Sequence, residues 1–275
     1  MNGRTLYISD LDGTLLNKSA ELSEYTEKTL NRLIANGLHF SVASARTVAS
    51  ASKIMSGLQL RLPVVLMNGV VTYDMAAKSY VEKSPISEEV VLKILAVLKK
   101  FDVSGMMYRL TDAELMTYYE SLEAEPIRTF VEERRNRYYK TFYHADSFFD
   151  VPRDQIVYFT LPDTYDRLLR VREALDGIPG ITAVLYRDVY SGTLWFLELF
   201  STAASKKNAV GLLREKYGFD RIVGFGDNLN DLPLFEACDV RVAVANAVDE
   251  VRAAADYICD TNENDGVIKW IEENM

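Results

Sequence analysis

Strands and helices alternate at both ends of this chain and stop alternating in its middle. Residues 6–9 form an apolar run with the length of a buried strand. Residues 23–36 carry a helix's boundaries: Ser23 as N-cap, Glu24 and Glu27 in the first turn, and Gly37 just past the end. Residues 39–43 predict a second strand, 47–56 a helix and 63–67 a third strand. A βαβαβ order predicts a parallel sheet with right-handed crossovers. The pattern resumes after Ser201. Helices are predicted over 206–217, 232–237, 248–255 and 266–274, with strands over 221–225 and 241–245.

The middle reads differently. Helices are predicted over 87–100, 129–137 and 165–175, and strands over 105–110, 114–118, 155–161, 181–186 and 193–200. Strands joined by hairpins as well as helices describe a separate α+β module. The expected class is therefore α/β. A three-layer, Rossmann-like parallel-sheet core over residues 1–83 and 201–275 is interrupted by an α+β insert over 84–200.

Ligands in such sheets bind beyond the carboxyl ends of the strands. Asp10-Leu11-Asp12-Gly13-Thr14 stands at the end of the first strand. Its two carboxylates project the same way, and Gly13 permits the turn that leaves the sheet. Such a pair can hold a hard cation and keep one oxygen free as a nucleophile. Ser44-Ala45-Arg46 ends the second strand, where a hydroxyl and turn amides can cradle phosphate oxygens. Ser44 also suits an ordinary helix cap, and Arg46 a structural ion pair. Lys206-Lys207 opens the helix after the insert. Gly226-Asp227-Asn228-Leu229-Asn230-Asp231 follows a late strand, with carboxylates suited to a divalent cation and Asn230 able to donate to a phosphate oxygen. Four carboxylates in one crevice would repel a phosphate dianion, so a dication and a lysine are the natural offsets. Oxygen-only ligands favour Mg²⁺ over zinc.

Taken together, these residues resemble the haloacid dehalogenase (HAD) superfamily, in the motif order of its Cof-type phosphatases with a type IIB cap. Asn68-Gly69 is similar to the family's Asn-Gly turn. Ser44-Ala45-Arg46 stands where the family usually has Thr-Gly-Arg, and Lys206-Lys207 where it often has Lys-Gly. The resemblance implies that Asp10 attacks phosphorus and becomes an aspartyl phosphate, while Asp12 protonates the leaving alcohol and then activates water. It implies a Mg²⁺ site of Asp10, Asp12 (through its carbonyl) and Asp227, supported by Asp231. It places Leu11, Ser44, Ala45, Lys206 and Asn230 on the phosphoryl oxygens, with Lys207 the alternative to Lys206, and Arg46, Asn68 and Gly69 near the substrate. The insert is implied to be a cap that closes over the site and chooses the leaving group.

The substrate expected on these grounds is a small phosphorylated metabolite, a sugar phosphate or phosphorylated cofactor. A phosphotransferase or phosphomutase and a non-catalytic phosphometabolite-binding protein are the competing readings. Insert aromatics, including Tyr118, Tyr119, Tyr138, Tyr139, Tyr143 and Tyr190, with His144 and Arg187, are offered as ring contacts, although packing is the more ordinary role for aromatics in such a module.

A net charge of −9 disfavours nucleic acid and anionic membranes as partners. Two cysteines imply neither a disulfide framework nor a thiolate metal site, and buried free thiols are expected. No apolar run approaches a membrane span, and the N-terminus leads almost directly into a strand without a signal peptide. A soluble, cytoplasmic protein is the expectation.

Overall fold

Ser23 starts the first helix as its sequence suggests, accepting the Thr26 backbone N–H at 2.9 Å. The computed structural model describes residues 3–111, 114–187 and 194–275. It divides into two compact units, one of Met1–Glu82 with Ala204–Met275 and one of Lys83–Ala203.

The first unit begins β1 (Thr5–Ser9), α1 (Glu24–Ala35), β2 (His39–Val42), α2 (Val48–Ile54), β3 (Val64–Leu66), β4 (Val71–Asp74) and β5 (Ser79–Lys83). The second unit contributes α3 (Glu88–Phe101), β6 (Met106–Leu110), β7 (Leu115–Tyr119), α4 (Glu125–Tyr138), β8 (Tyr143–His144), β9 (Ile156–Asp163), α5 (Tyr165–Leu175), β10 (Ile181–Arg187) and β11 (Trp195–Ser201). The chain then completes the first unit with α6 (Lys206–Tyr217), β12 (Arg221–Gly226), α7 (Leu232–Ala237), β13 (Val240–Val244), α8 (Asp249–Ala254), β14 (Tyr257–Cys259) and α9 (Gly266–Asn274).

The first unit's main sheet has the order β14-β13-β12-β1-β2, and its neighbouring strands pair in parallel. The expected third strand departs from the simplest reading. β3 meets this sheet through a single parallel bridge, Ala43 to Val65, and forms a three-stranded antiparallel sheet with β4 and β5. The Ser44 N–H donates to the Val65 carbonyl at 2.9 Å, which ties the end of β2 to β3. Leu6, Ile8, Val65, Val210 and Ile222 lie in one buried cluster, so the α6 side of the sheet is dry. This dry side fixes the strand ends from which the polar loops emerge.

The second unit has a six-stranded sheet in the order β10-β11-β9-β6-β7-β8. Side chains alternate between its faces. Met107, Phe159, Leu161 and Leu199 join Ile94, Leu98 and Leu168 in the core against α3 and α5. The opposite face carries the cross-strand row Thr117, Tyr108, Tyr158 and Phe200, with Glu198 beside it. Phe130 of α4 packs on Phe196 at that face, ring centroids 5.9 Å apart. The α4 helix starts at Glu125, four residues before the expected start, because Pro126 is tolerated in a first turn whose N–H groups need no intrahelical partner.

Several insert aromatics pack on one another, as ordinary core-rim residues do. Tyr118 meets Tyr143 at 5.8 Å and Tyr119 meets His144 at 5.5 Å. Tyr139 is exposed. Tyr190, and Thr193 at the expected start of the last insert strand, lie outside the described residues. Among the described residues, no helix is long and apolar enough to cross a membrane. Cys238 and Cys259 are free thiols, and burial pushes both up to about 12.

Candidate active site

The carboxyl ends of β1 and β12 lie side by side, because Ser9 pairs with Phe225 in register. The Asp10 N–H donates to the Phe225 carbonyl at 3.0 Å. The two acidic loops, more than two hundred residues apart in the chain, therefore leave the sheet together. Gly13 makes their approach possible. Its φ is +77°, and a Cβ there would lie 2.4 Å from Asp227 Oδ2. A glycine is needed for the turn and again for the close approach. Thr14 Oγ1 donates to Asp227 Oδ1 at 2.7 Å, and Asn246 Nδ2 donates to the Gly13 carbonyl at 2.7 Å. The sequence alone assigns no role to Thr14 or Asn246. Thr14 was legible as the last residue of the first motif, whereas Asn246 carries no local signal.

Lys206 sits at the centre of the cluster. Ser205 caps α6 by accepting the Asn208 N–H at 3.0 Å, which sets the helix register. Register then separates the two lysines. Lys206 is 1% exposed and donates to Asp10 Oδ1 at 2.7 Å and Asp231 Oδ1 at 2.6 Å. Lys207 points to the surface and pairs with Glu236 at 2.9 Å. The other oxygen of Asp231 accepts the Asp227 and Asn228 N–H groups at 2.9 and 3.1 Å. Asp231 is thus fully engaged and fixes the loop that presents Asp227.

The electrostatics are unbalanced. Asp10, Asp227 and Asp231 offer carboxylate oxygens within 4.8 Å of one another, and the ammonium of Lys206 pairs with two of the three. Burial raises Asp10 well above the usual carboxylate range, Lys206 opposes that, and Asp231 and Asp227 add to it. Burial, and then Asp231, push Asp227 up to about 6. Burial alone would lower Lys206, but Asp10 and Asp231 hold it above its ordinary value. A site of hard oxygen donors with surplus negative charge fits a hard divalent cation.

Asp12 stands apart from this group. Its carboxylate accepts from Arg46 through both oxygens, at 2.7 Å from Nε and 2.6 Å from Nη2. The ion-pair reading of Arg46 thus has a partner, and Asp12 supplies no side-chain oxygen to the acidic trio. Ser44 is buried, and its Oγ accepts the Arg46 N–H at 3.3 Å. Ala45 and Asn230 are exposed, and the Leu11 side chain is buried. Asn68 donates its N–H to the Ser44 carbonyl at 3.1 Å, and its buried side-chain oxygen has no hydrogen-bond partner among the described residues. Gly69 lies against the start of α6: a Cβ there would fall 2.2 Å from the Ser205 carbonyl oxygen.

The sequence profile of the haloacid dehalogenase-like hydrolases matches residues 7–271. The chain belongs to this family. Similar proteins include the 5-amino-6-(5-phospho-D-ribitylamino)uracil phosphatase YitU of Bacillus subtilis, 24% identical over 96% of this chain and 95% of that protein. The pyridoxal phosphate phosphatase YbhA of Escherichia coli is 23% identical over 97% of each. Among solved structures, TM0651 from Thermotoga maritima superposes with a TM-score of 0.81 at 26% identity, over 99% of this chain and 98% of that one. A haloacid dehalogenase-like hydrolase from Bacteroides thetaiotaomicron also gives 0.81, at 23% identity, over 99% of this chain and all of the other. The α/β HAD fold read from the motifs is the fold of this chain.

Proposed function

We propose that this HAD hydrolase is a Mg²⁺-dependent phosphatase of small phosphorylated metabolites, sugar phosphates or phosphorylated cofactors, acting in the cytoplasm through an aspartyl phosphate on Asp10. One observation carries the reading. A buried carboxylate, Asp10, is held by a buried lysine inside an acidic trio, while the carboxylate of Asp12 is held outside it. The two aspartates of one motif therefore have different surroundings and suit different tasks. The phosphatase names of YitU and YbhA support the same class of substrate.

Asp10 is the nucleophile: its Oδ1 is fixed by Lys206, which leaves its second oxygen to attack phosphorus. The P–O bond to the alcohol breaks as the Asp10 O–P bond forms. Asp12 gives a proton to the leaving oxygen, then removes one from the water that cleaves the acyl phosphate. Lys206, Ser44, Asn230 and the turn amides of Leu11 and Ala45 bear the charge spread over the phosphoryl oxygens. Asp10, Asp227 and the Asp12 carbonyl would hold Mg²⁺, with Asp231 orienting the Asp227 loop. The ion would supply charge neutralisation for an incoming phosphate dianion. Substrate choice is assigned to the inserted unit.

The test is hydrolysis of p-nitrophenyl phosphate by the full chain. Turnover that requires Mg²⁺, stops on chelation and disappears in Asp10→Asn is expected. Full activity in Asp10→Ala would exclude the covalent route.

A further inference from the structure

The face of the insert's sheet that bears α4 gathers several cations, while its buried carboxylate, Glu198, accepts from the Tyr158 and Tyr186 hydroxyls at 2.6 and 2.9 Å and faces Arg134. Arg134 lies over the Phe130 ring with its guanidinium carbon 3.4 Å from the centroid. Arg135 stands over Tyr119 at 5.9 Å and over Phe142 at 5.6 Å. Lys140 stands over Tyr108 at 4.4 Å and over the same Phe142 ring at 5.2 Å. Two cations thus share one aromatic ring. Arg134 has a carboxylate neighbour, Glu133, at 3.5 Å. Among the described residues, no carboxylate lies within ion-pairing distance of Arg135 or Lys140.

A second, independent observation points into the same place. Thr117 is fully buried, and its hydroxyl has no hydrogen-bond partner among the described residues. It pairs across the strands with Tyr108, on the same face as the ring beneath Lys140. Buried hydroxyls are normally satisfied, so this one marks a place for a further acceptor or donor. Burial, with Arg134 second, pushes Lys140 down to about 7, as expected of an amine with a cation and rings around it and no carboxylate within ion-pairing distance among the described residues. In a chain of net charge −9, a cluster in which Arg135 and Lys140 have no carboxylate partner among the described residues is a local exception.

We propose that Arg134, Arg135, Lys140 and Thr117 form a binding subsite for an oxyanion, a phosphate or carboxylate group. The cations supply charge-assisted hydrogen bonds and the threonine a neutral one, over an apolar floor of Tyr108 and Phe142 that excludes water. Two sources carry this chemistry: free orthophosphate, or a second anionic group on a phosphorylated substrate. The latter extends the phosphatase reading above, whereas binding itself does not depend on that reading.

The experiment uses the full chain with ¹³C-labelled threonine methyl groups, titrated with orthophosphate and followed by NMR. The Thr117 methyl resonance is expected to shift in the wild type and in Lys206→Met, which disables the acidic site. In the double variant Lys140→Met, Arg135→Gln the shift should need at least about tenfold more phosphate. Hydrolysis of p-nitrophenyl phosphate by that double variant at the wild-type rate shows that it is folded. No Thr117 shift in the wild type, or an unchanged titration in the double variant, overturns the proposal. Kinetics then assign the source. A rise in KM of about tenfold for fructose 1,6-bisphosphate, with none for p-nitrophenyl phosphate, places the oxyanion on the substrate. Unchanged KM for both esters, with the Thr117 titration still weakened, assigns it to free orthophosphate.

Discussion

Lys206 balances the charge of the site, and its loss has two separable costs. It is buried between Asp10 and Asp231, so Lys206→Met leaves two carboxylates facing each other without a counter-ion. Breaking a buried pair costs about 3–5 kcal/mol, and urea unfolding of the metal-free variant should show a loss of that size together with loss of turnover. Arg46 is a contrasting case. The side chain of Asp12 is 45% exposed in its pair with Arg46, so Arg46→Ala should cost under about 1 kcal/mol of stability. It should still lower kcat about tenfold, because an unanchored Asp12 loses the geometry that proton transfer needs. Equal kcat in Arg46→Ala would show that Asp12 needs no anchor. Asp227 gives a pH signature. Its pKa in the metal-free fold, about 6, lies above the ordinary carboxylate value. The folded state therefore holds its proton more tightly than the unfolded chain, and the associated stability is present below about pH 4 and lost as pH rises through about 6. A cation that binds the ionised trio offsets that loss. The rise in melting temperature on adding Mg²⁺ should accordingly be larger at pH 7 than at pH 5, and a rise that is equal at both would remove Asp227 from the metal site.

At the scale of elements, the site depends on backbone that only glycine can occupy. Gly69, at φ +95°, leaves no room for a Cβ against Ser205, whose next residue is Lys206. Gly69→Ala should therefore displace the start of α6, destabilise the fold by about 1–3 kcal/mol and lower turnover through Lys206, as measured by chemical unfolding and steady-state kinetics on one preparation. The alanine variant matching wild type in both would place the strain elsewhere. Helices with strong local signals were legible: Ser23 caps α1, Ser205 caps α6, and α5, α6, α7 and α9 run as predicted. Elements held by distant partners were not. β14 has three residues and is defined by pairing with β13, while β4 and β5 form an antiparallel hairpin hidden behind the expected parallel pattern. The carboxylates of the site were legible because Asp-x-Asp-Gly and Gly-Asp-x-x-Asn-Asp are local spacings. The Asp12–Arg46 pair, the choice of Lys206 over Lys207 and the support from Asn246 depend on loop geometry and helix register, which local spacing does not fix.

At the scale of the whole molecule, the chain folds as two units with cores of their own. The parallel sheet gathers Asp10, Asp227, Asp231 and Lys206 from both ends of the chain, and the insert carries an aromatic and cationic face of its own. Asp10 is expected to carry the phosphoryl group during turnover. The most direct measurement is a rapid acid quench of enzyme turning over a phosphomonoester with Mg²⁺, followed by borohydride reduction and peptide mass spectrometry. Acyl phosphates are reduced where carboxylates are not, so homoserine should replace aspartate at position 10, and only when both substrate and Mg²⁺ are present. Turnover at full rate with no reduced residue at position 10 would rule out a phosphoryl group on Asp10.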